Sequence, residues 1–293
     1  MQQPGPAPKS CGTESNTAPI LLRTGFISGE QVMDWTTLGD WASLERSGLE
    51  RSVSPTPPPA SFSRDTRNLL LLSLGDADYA LLAPHFERVP FAVGDLITRA
   101  GDRIDSICFP EEGIAGVLDA REGDHRFAVG LIGAEGFVGW PALLGDDRSP
   151  YDVVMRAEHG DALRIPIDRF NDAIAQSATL RTTLLRFVQV FMTQMGRTIV
   201  SSLAHSIERR MARWILLYHD RVREDDICMT HEQFRLMLGV RRSSITEALH
   251  RLEEEHAIRA VRGRVIVRDR ATLMRMAGDT YGHAEAEYRR LIG

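Results

Sequence analysis

Lysine is almost absent from this sequence: Lys9 is the only one among 35 basic residues, the rest being arginine. Arginine has a planar fork suited to phosphate and to guanine, but a GC-rich coding sequence produces the same bias, so it carries little weight alone. Cysteine is scarce as well. Cys11, Cys108 and Cys228 are odd in number and widely spaced, which excludes a disulfide framework and a zinc, iron–sulfur or haem ligand set and fits reduced thiols. No apolar run reaches the roughly 18 residues of a membrane span. No basic segment followed by an apolar stretch opens the chain, so the expectation is a cytoplasmic protein without a membrane partner. Nor is there a nucleophile–base arrangement, a phosphate-cradling glycine loop ahead of a helix or a metal-ligand spacing, so no catalytic residue, cofactor or metal is assigned.

What is present is uneven along the 293 residues, a length that suggests about two domains. Residues 206–293 carry 17 Arg against 14 Asp and Glu, while the remainder carries 18 basic against 26 acidic residues. The positive excess therefore lies in the C-terminal part. Residues 1–64 read as a disordered or extended tail. They are polar and contain the run Pro55-Thr56-Pro57-Pro58-Pro59, which cannot be helical. A weak amphipathic stretch at Gln31–Leu49 is either a docking segment or part of that tail.

Residues 65–176 read as a sensor domain. Two short helices at Leu69–Leu74 and Asp76–Phe86 precede brief apolar runs separated by glycine turns from Val89 to Pro166, the texture of a compact β-roll or barrel. Residues 177–205 read as one long helix capped by Ser177. Leu184, Val188, Phe191, Met195, Ile199 and Leu203 form its apolar stripe, which predicts self-pairing of two copies.

Residues 206–270 hold the most informative pattern. Thr230 with Gln233 makes a capping box, Phe234, Met237 and Leu238 give a short helix one apolar side, and Gly239 supplies a turn. Ile245, Ala248, Leu249 and Leu252 then form the buried face of a second helix, whose other side shows Arg242, Ser243, Thr246, Glu247, His250 and Arg251. Two β-rich runs around Arg262-Gly263-Arg264 read as a wing hairpin. This is a winged helix-turn-helix for double-stranded DNA. Arg242, Ser243, Thr246 and Glu247 are expected at base edges, and Arg241, Arg251, Arg262 and Arg264 at phosphates. Ser244 and Glu247 also fit a capping box, which would tie Glu247 to the backbone instead. Residues 271–293 read as a C-terminal helix.

The order of β-roll, long helix and winged helix-turn-helix resembles the Crp/Fnr family, the regulators related to the cyclic-AMP receptor protein. The likeness covers about Asp65 to Asp269 and includes Gly101, Gly113 and Gly139 as β-roll glycines, as well as Gly239-Val240-Arg241-Arg242-Ser243-Ser244-Ile245-Thr246 as the recognition helix. It implies an α+β fold with a cyclic-nucleotide-binding-like sensor, a homodimer on a palindromic operator, a role for Arg242 in reading guanine and contact with RNA polymerase. It also implies where a cyclic nucleotide would bind, and there the sequence departs. Gly139 is followed by Trp140 rather than Glu, and the Arg-Ser pair that holds the phosphate falls near Tyr151-Asp152, with Arg148-Ser149 displaced by about three residues. The expectation is a degenerate site that takes no cyclic nucleotide, with Phe127, Phe137, Gly139, Trp140, Arg148, Ser149 and Tyr151 as candidates for another effector pocket.

The alternative is a ligand-sensing module acting through protein contacts, favoured by the acidic run Glu253-Glu254-Glu255 near the end of the second helix. Salt-dependent binding to genomic DNA separates the two readings.

Overall fold

The apolar runs and glycine turns between Val89 and Pro166 fold as two antiparallel sheets in the computed structural model, which describes residues 64–120, 126–156 and 159–293. The tail reading and the Gln31–Leu49 stretch lie outside the described residues. Helices α1 (Leu69–Leu72) and α2 (Asp76–Leu82) lead into β1 (Glu87–Ala92), β2 (Leu96–Thr98), β3 (Ser106–Glu112), β4 (Ala115–Ala120), β5 (Arg126–Ile132), β6 (Asp152–Met155) and β7 (His159–Pro166). One sheet has the order β1-β7-β3, the other β2-β6-β4-β5. Between them Phe109, Phe137, Ile107, Val117 and Ile165 are fully buried. Asn68 pins α1 to this roll: its Oδ1 accepts from Leu71 N–H (3.0 Å), and its Nδ2 donates to the carbonyls of Pro110 (2.8 Å) and Gly136 (2.9 Å).

A helix that the apolar pattern alone does not separate, α3 (Ile167–Gln176), follows the roll and buries Phe170 in it. Ser177 then caps α4 (Ala178–Ala204), accepting from Leu180 N–H at 3.1 Å. At about 1.5 Å per residue α4 runs roughly 40 Å. One face of it packs on the roll through Leu180, Leu184, Phe187, Val188 and Phe191. The Gln194 amide on the same helix closes the free edge of β5, accepting from Leu131 N–H (2.7 Å) and donating to Leu131 C=O (3.2 Å). A sheet edge leaves such groups unpaired unless something covers them.

The C-terminal half contains α5 (Ile207–His219), β8 (Asp226–Cys228), α6 (His231–Leu238), α7 (Arg242–Glu254), β9 (Ile258–Val261), β10 (Arg264–Val267), α8 (Arg270–Ala277) and α9 (His283–Leu291). The single C-terminal helix expected for residues 271–293 is two helices, because Gly278 and Gly282, both at positive φ, interrupt it. α9 returns to α4, where Arg186 donates to the Leu291 carbonyl (3.1 Å) and Tyr288 and Ile292 pack on the sensor core.

The two halves share an apolar core. Ile114, Leu118, Ala128, Leu131 and Val154 of the sensor join Trp214, Tyr218, Phe234 and Met237 of the C-terminal half. Arg213 is buried and donates to Gln194 C=O (3.1 Å) and Thr280 C=O (3.0 Å); burial pushes its pKa down to about 10. At the rim, Arg221 meets Glu135 at 2.6 Å. Burial works against the Arg221 charge, but the carboxylates of Glu135, Asp220 and Glu285 together offset it, and the net shift is upward. Removing one partner of such a pair strands the other. Glu135→Ala is therefore expected to cost about 3 kcal/mol in urea unfolding, and an unfolding midpoint equal to that of the unaltered protein would show the pair to be idle.

Candidate nucleic-acid interface

Thr230 and Gln233 form the reciprocal cap at the start of α6, with Thr230 N–H to Gln233 Oε1 at 2.7 Å and Gln233 N–H to Thr230 Oγ1 at 3.2 Å. Gly239 ends the helix in the left-handed region (φ +66°), and a Cβ there would stand 3.0 Å from the Phe127 ring. The turn thus needs glycine for its backbone and for the close approach of β5. Helix α7 buries Ile245, Ala248, Leu249 and Leu252, as its 3.6-residue period requires.

Its outer side is open. Ser243, Thr246, Glu247, His250, Arg251 and Glu254 line a shallow groove along it. Arg241 and Arg242 are exposed at its start. Among the described residues Arg241, Arg242, Arg251 and Arg262 have no ion pair or side-chain hydrogen bond, so their charge is unneutralised. Ser244 is half-buried, and the helix begins at Arg242 with Arg241 as its cap, so the alternative cap from Ser244 and Glu247 does not form. Thr246 Oγ1 donates back to Arg242 C=O at 3.2 Å.

The wing is a three-stranded sheet in the order β8-β10-β9, with Gly263 at its tip. Strand β8 is only three residues long and leaves no pattern in the sequence. Arg262 is exposed at the tip. Arg264, expected at phosphate, is instead turned along the sheet with its Nε 2.8 Å from Asp226 Oδ1. Glu253 does not extend the acidic face: its Oε1 accepts from Ala260 N–H (2.8 Å) and ties α7 to the wing.

The sensor residues named from the sequence do not gather around one pocket: Trp140, Ser149 and Tyr151 touch, while Phe127 and Phe137 lie apart from them. Phe127 lies against Gly239, on the side facing the helix-turn-helix. Phe137 is fully buried between Phe109, Phe170 and Phe187. Trp140 packs between Tyr151 (centroids 6.3 Å apart) and Phe191 (5.8 Å). These rings fill the space between roll and α4. Gly139 holds a positive φ, and a Cβ there would be 2.6 Å from Ile107 Cδ1. Arg148 donates to Gly101 C=O (2.7 Å), Ser149 Oγ donates to Tyr151 C=O (2.7 Å), and Asp152 is buried with Oδ1 accepting from Ala100 N–H (2.9 Å).

Residues 88–177 match the family described as cyclic nucleotide-binding domain, and residues 209–276 match the Crp-like helix-turn-helix domain. The chain is a regulator of the Crp/Fnr type. Solved structures show the same fold. A transcriptional regulator of the CRP family from Thermus thermophilus is 19% identical with a TM-score of 0.55, covering 65% of this chain and 96% of its own. FixK2 from Bradyrhizobium japonicum is 10% identical with a TM-score of 0.58, covering 66% and 98%. The c-di-GMP responsive global regulator CLP of Xanthomonas campestris is 14% identical with a TM-score of 0.54, covering 66% and 99%. No curated protein sequence matches the chain. Among the described residues no helix is long and apolar enough to cross a membrane.

The long helix of this Crp/Fnr-type regulator corrects the sequence-predicted stripe. Leu184, Val188 and Phe191 are buried against the chain's own sensor roll, and Met195 is half-buried. The apolar row left uncovered is the adjacent one: Leu185, Met192 (53% exposed), Ile199 (61%) and Leu203 (84%), with Gln189 and Gly196 between them. These positions alternate by four and three, the spacing of a coiled-coil seam. Only Ile199 and Leu203 belong to both rows.

Proposed function

We propose that this DNA-binding transcription regulator acts as a homodimer on an imperfect palindrome, with α7 of each copy in the major groove. The observation that carries the reading is the open face of α7, where Arg242 and Arg251 lack counter-ions beside Thr246 and Glu247. Paired along the uncovered row of α4, two such helices would enter grooves about 34 Å apart. Contact with RNA polymerase and a cytoplasmic setting go with the same reading.

The fold family implies a cyclic nucleotide, and the sensor does not fit one. A buried carboxylate, Asp152, stands where a phosphate clamp is needed, and Arg148 and Ser149 are engaged with backbone carbonyls. Trp140 is packed between Tyr151 and Phe191. Calorimetric titration with cyclic AMP and cyclic GMP is expected to show no saturable binding; a saturable isotherm for either would reverse this.

The DNA reading is tested by selecting bound fragments from sheared genomic DNA and measuring affinity against salt. A two-fold motif should emerge, and binding should fall steeply as counterions compete. Unselective recovery of fragments, or affinity indifferent to salt, would count against it.

A further inference from the structure

The sensor sheet and the winged module close on each other around apolar side chains, but their contact opens at one edge into a cleft of about 470 Å³. Glu112, Arg156, Tyr218, Arg221, Arg223 and Cys228 are among the residues that line it. Most charges there are already neutralised. Arg221 pairs with Glu135 (2.6 Å), Arg223 with Glu112 (3.3 Å), and Arg264 with Asp226 (2.8 Å); Arg67 also bonds Glu112.

Arg156 is the one guanidinium of the lining left over among the described residues; the exposed Glu224 is the carboxylate without an ion pair. Arg156 follows the end of β6, its aliphatic part lies across Gly116, and its side chain makes no ion pair or hydrogen bond among the described residues. Burial lowers its pKa; the Tyr218 oxygen opposes that shift, Arg126 adds to it and Glu232 opposes it. The Tyr218 hydroxyl beside it likewise has no hydrogen bond among the described residues. Burying a cation without a counter-ion is expensive, and water supplies hydrogen bonds but no compensating charge. A guanidinium held in a cavity of ligand size with a free hydroxyl next to it has the chemistry to bind an oxyanion through two parallel bonds.

We propose that this cleft binds a small oxyanion, a carboxylate or a phosphate group, with Arg156 as its anchor and the Tyr218 hydroxyl as a further donor. Such a ligand bridges the sensor sheet and the winged module. That it would serve as the effector rests on the DNA-binding reading above; the binding itself does not.

The test uses the full chain, with inorganic phosphate and malonate as probes and chloride at matched ionic strength as control. At least one probe should raise the unfolding temperature with saturation, as a ligand selective for the folded state does. Phosphate alone acting would assign the site to phosphate esters, and malonate alone to carboxylates. Arg156→Gln should weaken binding by about 10- to 100-fold, the usual worth of hydrogen bonds to a charged group. Without any variant, the bound probe should slow alkylation of Cys228, read by peptide mass spectrometry, and leave Cys108 in the sensor core unchanged. No saturable response to either probe, equal binding by Arg156→Gln, or an unaltered Cys228 rate would overturn the proposal. Arg242→Ala should keep anion binding while weakening and relaxing operator binding. Anion binding in a protein that ignores DNA would sink the regulator reading and leave this site standing.

Discussion

Ile199→Glu is expected to convert the proposed homodimer into monomers and to weaken operator binding by roughly 10²- to 10⁴-fold, the advantage that linking two binding modules confers. Ile199 is 61% exposed in the single chain, so the substitution leaves the sensor core untouched. In a paired seam the same position faces its own copy, and two carboxylates would be forced into an apolar contact, at a cost that neither pairing nor solvation relieves. Sedimentation should report a halved mass with an unchanged circular dichroism spectrum, the folded monomer losing only the stability that association adds. Leu184→Glu provides the contrast. Leu184 is fully buried against the sensor roll, so a charge there should lower stability rather than dissociate a folded dimer. A protein that stays dimeric after Ile199→Glu would remove the uncovered row of α4 from the interface.

Arg242→Ala is expected to cost about 1–3 kcal/mol of operator affinity and to relax selection at one base position in each half-site, since a bidentate Arg–guanine contact is worth that much. The side chain is exposed and unpaired, so stability should not change. Arg262→Ala at the wing tip should behave differently, weakening binding to all sequences alike and reducing the salt slope by about one. Fragment selection with the two variants separates the roles. A motif unchanged by Arg242→Ala would take that residue out of base reading.

The recognition module is legible in the sequence because its signals are local. A capping box at Thr230 and Gln233, a glycine at position 239 and the Ile245, Ala248, Leu249 and Leu252 period each constrain a few neighbouring residues, and each is present in the fold. The long helix is legible as a helix but not in its orientation. Two apolar rows run side by side on α4, and periodicity finds rows without saying which one meets the chain's own roll. The denser aromatic row, with Phe187 and Phe191, goes inward. Phe127 has the character of a pocket residue, yet the side of β5 it occupies is set by where the helix-turn-helix docks, a contact 112 residues away at Gly239. Arg264 looks free in the sequence because its partner, Asp226, stands on a strand too short to show a pattern. The isolation of Arg156 leaves no signal in the sequence: it depends on which carboxylates other arginines have claimed.

The winged module enters from α4 through α5 and leaves through α9, whose Tyr288 and Ile292 are seated back on the sensor. A body fastened at both ends is not free to tumble on a single tether. Once the apolar core it shares with the sensor parts, it can only swing about the line joining its two attachments, like a gate on a pair of hinges. Any rearrangement that leaves both fastenings intact must therefore turn α7 along one arc, and severing the second hinge by deleting α9 would widen that arc into a cone.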